Sequence, residues 1–499
     1  MTANWSLASG ALAYNFVVII LVTLWIKSRL RANKIEEDFI LSGRNLPWYV
    51  IGVCNALTCI GGGHILGLTG QSWHTGFATM WFSISMCMSF VLIMMYVGPW
   101  LKRTGFVTIS GMFETLFGPV VRPVITAVAV GACFGIVTLE TQGLGAIVTI
   151  STGVPMWVGA IIGGTIGLLY VLLAGIKEVA YINLVNAVLM YVAGITALIL
   201  LGARLPGGWS AVNDFYIARG ESHLLTIFGN GDIVRTYVVG TFVSCLFYNP
   251  IVQQCAQVSA SAKNANHIKK AMLIAIPVNF LYSALMVALG MVSQTLDVAQ
   301  IIPDGGPAML LMAANYLPQW LSIVIIGTFL AALMSTFGML SLASSVHIVK
   351  DIAEEYFAKK PFTLKQEGKY TRITLVVFCA VAIAISTFLP AVNPAIVWCF
   401  SWATPMFVMF VVGLHFKRST WACLVTFIVC FVLNMLLTLT PIMAMMNLEG
   451  NNHALYMFVV AVVFGYGLTA LDKNAKPSFT KEYKRTRALY DAQMAQKSS

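Results

Sequence analysis

Apolar residues in this chain neither alternate nor recur once per helical turn. They come in long runs, separated by short polar stretches that hold most of the charge. A run of ~20 mainly apolar residues is what an α-helix needs to cross the ~30 Å hydrocarbon core of a bilayer. Runs of that kind lie near 8–26, 48–70, 77–100, 123–150, 154–174 and 180–205, then near 236–257, 271–292, 321–349, 373–389, 394–414, 421–439 and 454–471. The pattern predicts an all-α integral membrane protein of about 13 transmembrane helices. The first run has no basic leader and no small-residue cleavage site, so it is expected to be a retained helix and not a secretory signal. The longest polar interval, 206–235, carries Gly, Asp, Asn and Trp and reads as a loop with a short helix. Residues 472–499 are polar and Lys-rich and read as a solvated tail.

Composition removes the soluble alternatives. With 59% hydrophobic residues, 10% charged residues and a mean hydropathy of +0.83, too few charges exist to coat a soluble surface. Lipid must replace water around much of the chain. A net charge of +11 raises nucleic acid as a partner, but the basic residues sit in short clusters between apolar runs and not on a basic domain. Placing the N-terminus outside puts 27 of the 30 Lys and Arg residues on the interior side, leaving only Arg204, Arg219 and Arg235 outside. That bias matches the positive-inside rule. The expectation is a multi-pass cell-membrane protein, in a bacterial inner membrane, with a cytoplasmic C-terminus and the lipid bilayer as its surroundings. All ten cysteines fall inside apolar runs without a CxxC pair, and the seven histidines show no HxxxH spacing, so neither a disulfide framework nor zinc is expected. Phosphate-loop and nucleophile-elbow signatures are absent, so no enzyme chemistry is expected.

Two runs carry interruptions. The second contains Gly61-Gly62-Gly63-His64, and each glycine weakens a helix by ~1 kcal/mol relative to alanine. The seventh contains Tyr248-Asn249-Pro250, where proline removes a donor and crowds the preceding turn. Non-helical backbone at membrane depth is tolerated only where it is buried in protein or lines a cavity. Two breaks five helices apart fit an inverted repeat with a site at the midplane. The plain structural alternative is close helix packing at the glycines and a harmless proline kink.

Polar groups inside the runs add candidates. Ala332, Ser335 and Thr336 share a helix face by their offsets of three and four. Two hydroxyls beside carbonyls freed at a break are hard neutral oxygens suited to an alkali cation, although membrane Ser and Thr also bond back to their own helix. Glu140 is the clearest carboxylate within a run. It reads as a counter-charge for a cationic solute, a protonation site, or a hydrogen-bonded structural group. His64 sits next to the glycine break, and Trp81, Phe247, Tyr248, Phe400 and Trp402 could wall a solute site or serve ordinary packing.

With those residues in view, the chain resembles the sodium/solute symporter family, which includes sodium–proline, sodium–pantothenate and sodium–glucose symporters. The likeness lies in Asp38-Phe39-Ile40-Leu41-Ser42-Gly43-Arg44 with Leu46-Pro47-Trp48, in Gly61-Gly62-Gly63 and Gly67, and in Lys102-Arg103-Thr104-Gly105 with Thr108. It continues through Gln257, Ala260, Ala262 and Lys263, and through Ala331-Ala332-Leu333-Met334-Ser335-Thr336 to Asp351-Ile352. The resemblance implies an inverted five-helix-repeat (LeuT-like) core. Residues 1–35 would be an N-terminal extra helix, 36–205 the first repeat, 206–235 an extracellular loop and 236–414 the second repeat. Two C-terminal helices would fill 415–471, and 472–499 would be a cytoplasmic tail. It further implies a Na+ site made by the carbonyls of Leu57, Ile60 and Ala332 and the hydroxyls of Ser335 and Thr336. It implies a solute pocket around His64, Ser83, Tyr248, Asn249 and Gln253, to which the residue reading adds Trp81 and Glu140. A second Na+ site is not expected, because Asn183 and Asn186 stand where some members carry an aspartate. The implied activity is symport of a small polar organic solute, an amine, amino acid or carboxylate, with Na+ as the co-transported ion. Two alternatives stay open: proton coupling through Glu140 or His64, and a membrane sensor or channel without uphill transport.

Overall fold

The structure, a computed structural model, describes residues 5–33, 46–104, 108–173, 176–205, 207–253, 256, 259, 261–296, 308–358, 360–387, 393–445 and 452–485. Of the motifs above, residues 38–44, Gly105, Gln257 and Ala260 lie outside the described residues. The described chain is almost wholly helical, with one two-residue antiparallel pairing, Lys417–Arg418 against Lys476–Pro477. Ten helices among the described residues are long and apolar enough to cross a membrane. Each of the thirteen expected runs coincides with helix, but three are not among the ten: 48–70 is split between the short Trp48–Cys59 and the start of Gly63–Lys102, 154–174 holds the short Met156–Leu172, and 236–257 holds Val239–Ile251. Thirteen is therefore the count read from the sequence, and ten is what length and composition support.

Helix Gln319–His347 is the centre of the bundle. It is buried along nearly its whole length and packs against Trp5–Asn33, Val121–Thr152, Ile176–Arg204 and Leu364–Ser386. A helix that is apolar all round has no solvent face to offer and belongs inside other helices. Peripheral helices instead show rows of exposed apolar side chains, among them Phe16, Val188, Ile199, Val377, Ile428 and Val463. Such rows suit lipid and would be a liability in water. Helices Val121–Thr152 and Met156–Leu173 approach closely through glycine. A Cβ on Gly163 would fall 2.8 Å from the Leu144 backbone, and one on Gly145 would fall 2.7 Å from the Ala160 nitrogen. Small residues let two membrane helices gain dispersion contacts where no hydrophobic drive exists.

The polar ends are organised as well. Arg122, at the start of Val121–Thr152, pairs with Asp351 at 3.0 Å, Glu114 at 2.8 Å and Glu355 at 2.6 Å. Asp351 is fully buried and also meets Thr108 Oγ1 at 2.8 Å and His347 Nδ1 at 2.6 Å. The interval 207–235 holds a short helix, Ser210–Ala218, and a 3-10 turn, Ser222–Leu225. The beginning of the tail is docked and not freely solvated as the sequence suggested. Phe479 and Tyr483 pack on Trp100, and Arg418 pairs with Glu482. Aromatic side chains spaced among the lysines supply an apolar face that charge counting overlooks.

Candidate cation and solute site

The first broken helix is interrupted where the glycines stand. Helix Trp48–Cys59 ends as Ile60 leaves helical geometry at φ −90° and ψ 78°. Winding resumes as a wide turn, Gly63–Gly67, that continues into Leu68–Thr75. The last turn before the break is closed by the Ile60 N–H donating to the Leu57 carbonyl at 2.9 Å. At the restart, the Gly62 N–H donates to both carboxylate oxygens of Glu140, each at 2.9 Å. Glu140 comes from the middle of Val121–Thr152 and is buried. Helix starts leave N–H groups unpaired and carry partial positive charge, so an acidic side chain there is favourable.

Gly61 is required at the break for space. A Cβ there would fall 2.8 Å from Thr336 Oγ1 and would overlap Glu140 Oε1. The carboxylate and the hydroxyl thus converge on the same bare stretch of backbone. Thr336 Oγ1 lies 3.2 Å from the Thr58 carbonyl and 3.3 Å from that of Ala332. Ser335 Oγ is fully buried and has no hydrogen-bond partner among the described residues. Other buried hydroxyls, Ser151 and Ser344 among them, also have no partner among the described residues; what singles out Ser335 is its place next to Thr336, which reaches the backbone at the break. Leu57, Ile60, Ala332, Ser335 and Thr336 are all buried, on the two helices that meet at the break.

The second broken helix departs from expectation in detail. Pro250 lies inside helix Val239–Ile251, and the winding stops at Val252, at φ −86° and ψ 145°. Proline disfavours the turn around it, but the chain yields two residues later. Asn249 ties the two breaks together. Its Oδ1 accepts from Cys59 Sγ at 3.4 Å, while Nδ2 donates to Ser89 Oγ at 2.9 Å.

Between the breaks lies a cavity lined by His64, Phe82, Glu140, Tyr248, Asn249 and Thr336, with Phe400 and Ile396 beyond them. Its free space, about 20 Å³, holds roughly one water. The helices must part before an organic solute can enter. Tyr248 stacks on Phe400 with ring centroids 3.9 Å apart, and Phe82 meets the His64 ring edge-on at 5.0 Å. His64 Nε2 faces Asn279 Nδ2 at 3.3 Å, and Asn279 Oδ1 accepts from Ser83 Oγ at 2.9 Å.

His64, Glu140, Tyr248, Asn249 and Thr336 are therefore brought together, with Ser83 behind His64 on the far side of Asn279. Trp81 and Gln253 are not. The Trp81 indole donates to the Ile227 carbonyl and packs on Phe228 and Phe242, beneath the 207–235 interval. Gln253 accepts from the Ile109 N–H at 2.9 Å, next to the Arg122–Asp351 cluster. Both lie within a turn or so of true lining residues, but their helix faces point elsewhere. Asn183 and Asn186 serve helix contacts, Asn183 with Cys54 Sγ at 3.7 Å and Asn186 with the Tyr14 hydroxyl at 3.0 Å. Asn279 escaped the sequence reading, although an amide two residues after Pro277 inside an apolar run is a visible signal.

Comparison with known proteins places this architecture. The profile of the sodium:solute symporter family matches residues 39–425. The chain belongs to the sodium:solute symporter family. The sodium/glucose cotransporter of Vibrio parahaemolyticus is 20% identical over 433 residues, 81% of this chain and 79% of that protein. The symporter YidK of Escherichia coli strain K12 is 24% identical over 191 residues, 36% of this chain, and the match spans only about a third of YidK, 34%. Among solved structures, a Na+-coupled sialic acid symporter in a substrate-bound outward-open state superposes with a TM-score of 0.79 at 15% identity, covering 94% of this chain and 98% of that one. At that identity the likeness is one of fold. As a family member the chain is a transporter and not an enzyme.

Proposed function

We propose that this protein is a secondary active symporter that couples inward Na+ movement to uptake of a small polar organic solute by alternating access. The observation that carries the reading is the pairing of a broken helix with an orphan hydroxyl. Ser335 Oγ has no partner among the described residues and stands beside Thr336, whose own hydroxyl reaches the Thr58 carbonyl at the break. In the cycle, Na+ is held by the carbonyls of Leu57, Ile60 and Ala332 and the hydroxyls of Ser335 and Thr336. Bound Na+ fixes the first broken helix against Gln319–His347, which forms one wall of the solute cavity. Solute then completes contacts across both breaks, and the repeats rock about the occupied site. Linkage makes the coupling reciprocal: each ligand raises the affinity for the other. Family membership supports Na+ as the co-transported ion. An orientation with the N-terminus outside agrees with the distribution of Lys and Arg, and the membrane proposed is a bacterial inner membrane.

The test is uptake in proteoliposomes under a Na+ gradient. Ser335→Ala with Thr336→Val removes two of five oxygens and is expected to weaken half-saturation by Na+ at least tenfold, about 1.4 kcal/mol. Unchanged Na+ dependence rejects the site. Burial of Glu140 in the cavity wall favours one competing reading, proton coupling. Uptake that follows an imposed pH gradient in KCl, with no response to Na+, would select it.

A further inference from the structure

The cavity between the breaks has a charge pattern that bears on the solute. Glu140 is its one acidic wall residue, and no Lys or Arg among the described residues pairs with it. Nearby, the Ser83 hydroxyl donates to Asn279 Oδ1 at 2.9 Å, and the Asn279 amide meets His64 Nε2 at 3.3 Å. Beside the polar His64, Asn249 and Thr336, the wall around Glu140 presents ring faces or edges of Phe82, Tyr248 and Phe400.

A second feature concerns the restarted helix. In transporters built on broken helices, the start of the second half-helix is where an anionic group of the substrate finds its N–H donors. Here the Gly62 N–H is already held by both oxygens of Glu140 at 2.9 Å, and the bareness of Gly61 is what admits the carboxylate. The protein thus supplies from its own helix the carboxylate that a solute would otherwise bring. A carboxylate solute would meet a like charge and a donor already taken. A positively charged nitrogen would meet two carboxylate oxygens that accept from a single N–H and so retain lone pairs facing the cavity.

We propose, resting on the reading of this chain as a Na+-coupled solute symporter, that Glu140 is the counter-charge for the solute and that the transported solute is a small organic cation. The aromatic wall of Phe82, Tyr248 and Phe400 receives the substituents on the nitrogen through cation–π and dispersion contacts. Na+ at Ser335 and Thr336 and the organic cation then lie on either side of one carboxylate, which lowers the repulsion between them.

Thermal unfolding of the full chain in detergent, in NaCl and in KCl, provides the test. The probes are choline, ethanolamine and tetramethylammonium as cations, acetate and pyruvate as anions, and myo-inositol as a neutral polyol. At least one cation is expected to raise the unfolding temperature of the wild type, more in NaCl than in KCl, while the anions and the polyol leave it unmoved. Glu140→Gln keeps an oxygen for the Gly62 N–H but removes the charge, and is expected to weaken the cation's half-effect concentration on the order of a hundredfold. Glu140→Ala exposes the Gly62 N–H, and acetate is expected to stabilise that variant and not the wild type. Anions or myo-inositol stabilising the wild type as well as any cation does, or no cation acting on it, overturns the proposal. So does an undiminished cation effect in Glu140→Gln. Stabilisation of the wild type by NaCl over KCl with no added solute reads the Na+ site separately, so its loss indicts the symport reading and not the solute class.

Discussion

Replacing the three consecutive glycines one at a time by alanine separates the break from the helix that follows it. A methyl on Gly61 would stand 2.8 Å from Thr336 Oγ1 and overlap Glu140 Oε1. Neither group is the loose end of a long side chain, since both are bonded to backbone of the broken helix. Overpacking of this kind is expected to cost ~1–3 kcal/mol. Retreat of the carboxylate would leave a buried donor and acceptor unmatched, another ~1–3 kcal/mol. Against that, alanine reduces the freedom of the unfolded chain by ~0.4–1 kcal/mol. The net expectation for Gly61→Ala is a loss of ~2–4 kcal/mol. Gly62→Ala differs sharply. Its methyl would meet Leu333 Cδ2 at 3.4 Å and the Glu140 oxygens at 3.6 Å, ordinary contacts, from a backbone already helical at φ −54° and ψ −35°. It should be neutral or stabilising by up to ~1 kcal/mol. Gly63→Ala falls between, because its methyl would press on Ile396 Cδ1 at 3.0 Å, a flexible tip that can move aside. Thermal unfolding in detergent, in NaCl and KCl, gives the ranking. Gly61→Ala should also lose most of the stabilisation by Na+, which amounts to ~2.7 kcal/mol at a hundredfold excess over Kd. Equal stability of the Gly61 and Gly62 variants, with equal Na+ effects, would refute the convergence of Glu140 and Thr336 on this backbone.

Other residues yield further tests. Asp351→Ala should lower the unfolding temperature, because it strands Arg122, Thr108 and His347 at a buried junction of three segments. Breaking such a pair costs ~3–5 kcal/mol, and Glu114 and Glu355 should hold the loss at the lower end; no change in stability would show the junction to be energetically idle. Asn279→Leu removes the amide that contacts His64 and leaves the Ser83 hydroxyl only the backbone carbonyl of position 279, at 3.5 Å. Uptake should show a raised KM for solute with little change in half-saturation by Na+, whereas an equal loss in both would place Asn279 in general packing.

Residues 48–70 show how much a sequence can say. Three glycines in an apolar run announce a break at Ile60 and Gly61, because local backbone preference is strong and membrane helices have few other ways to lose winding. The pairing of Ala332, Ser335 and Thr336 on one face was legible for the same reason: helical periodicity is fixed by local geometry. The second break was less legible. Pro250 marked the neighbourhood, but the helix runs through it and the chain yields at Val252, two residues on.

Membrane location, helical class and the family motifs were written in the order of the residues, since lipid demands long apolar runs and local hydrogen bonds. What only the tertiary structure decided is which polar side chains meet. Glu140 lies 78 positions from Gly62, Asn279 lies 215 from His64, and Trp81 and Gln253 turn away from the cavity their neighbours line. A helix fixes spacing along its axis, but its rotation about that axis is set by the packing of every other helix, and no local rule contains that sum.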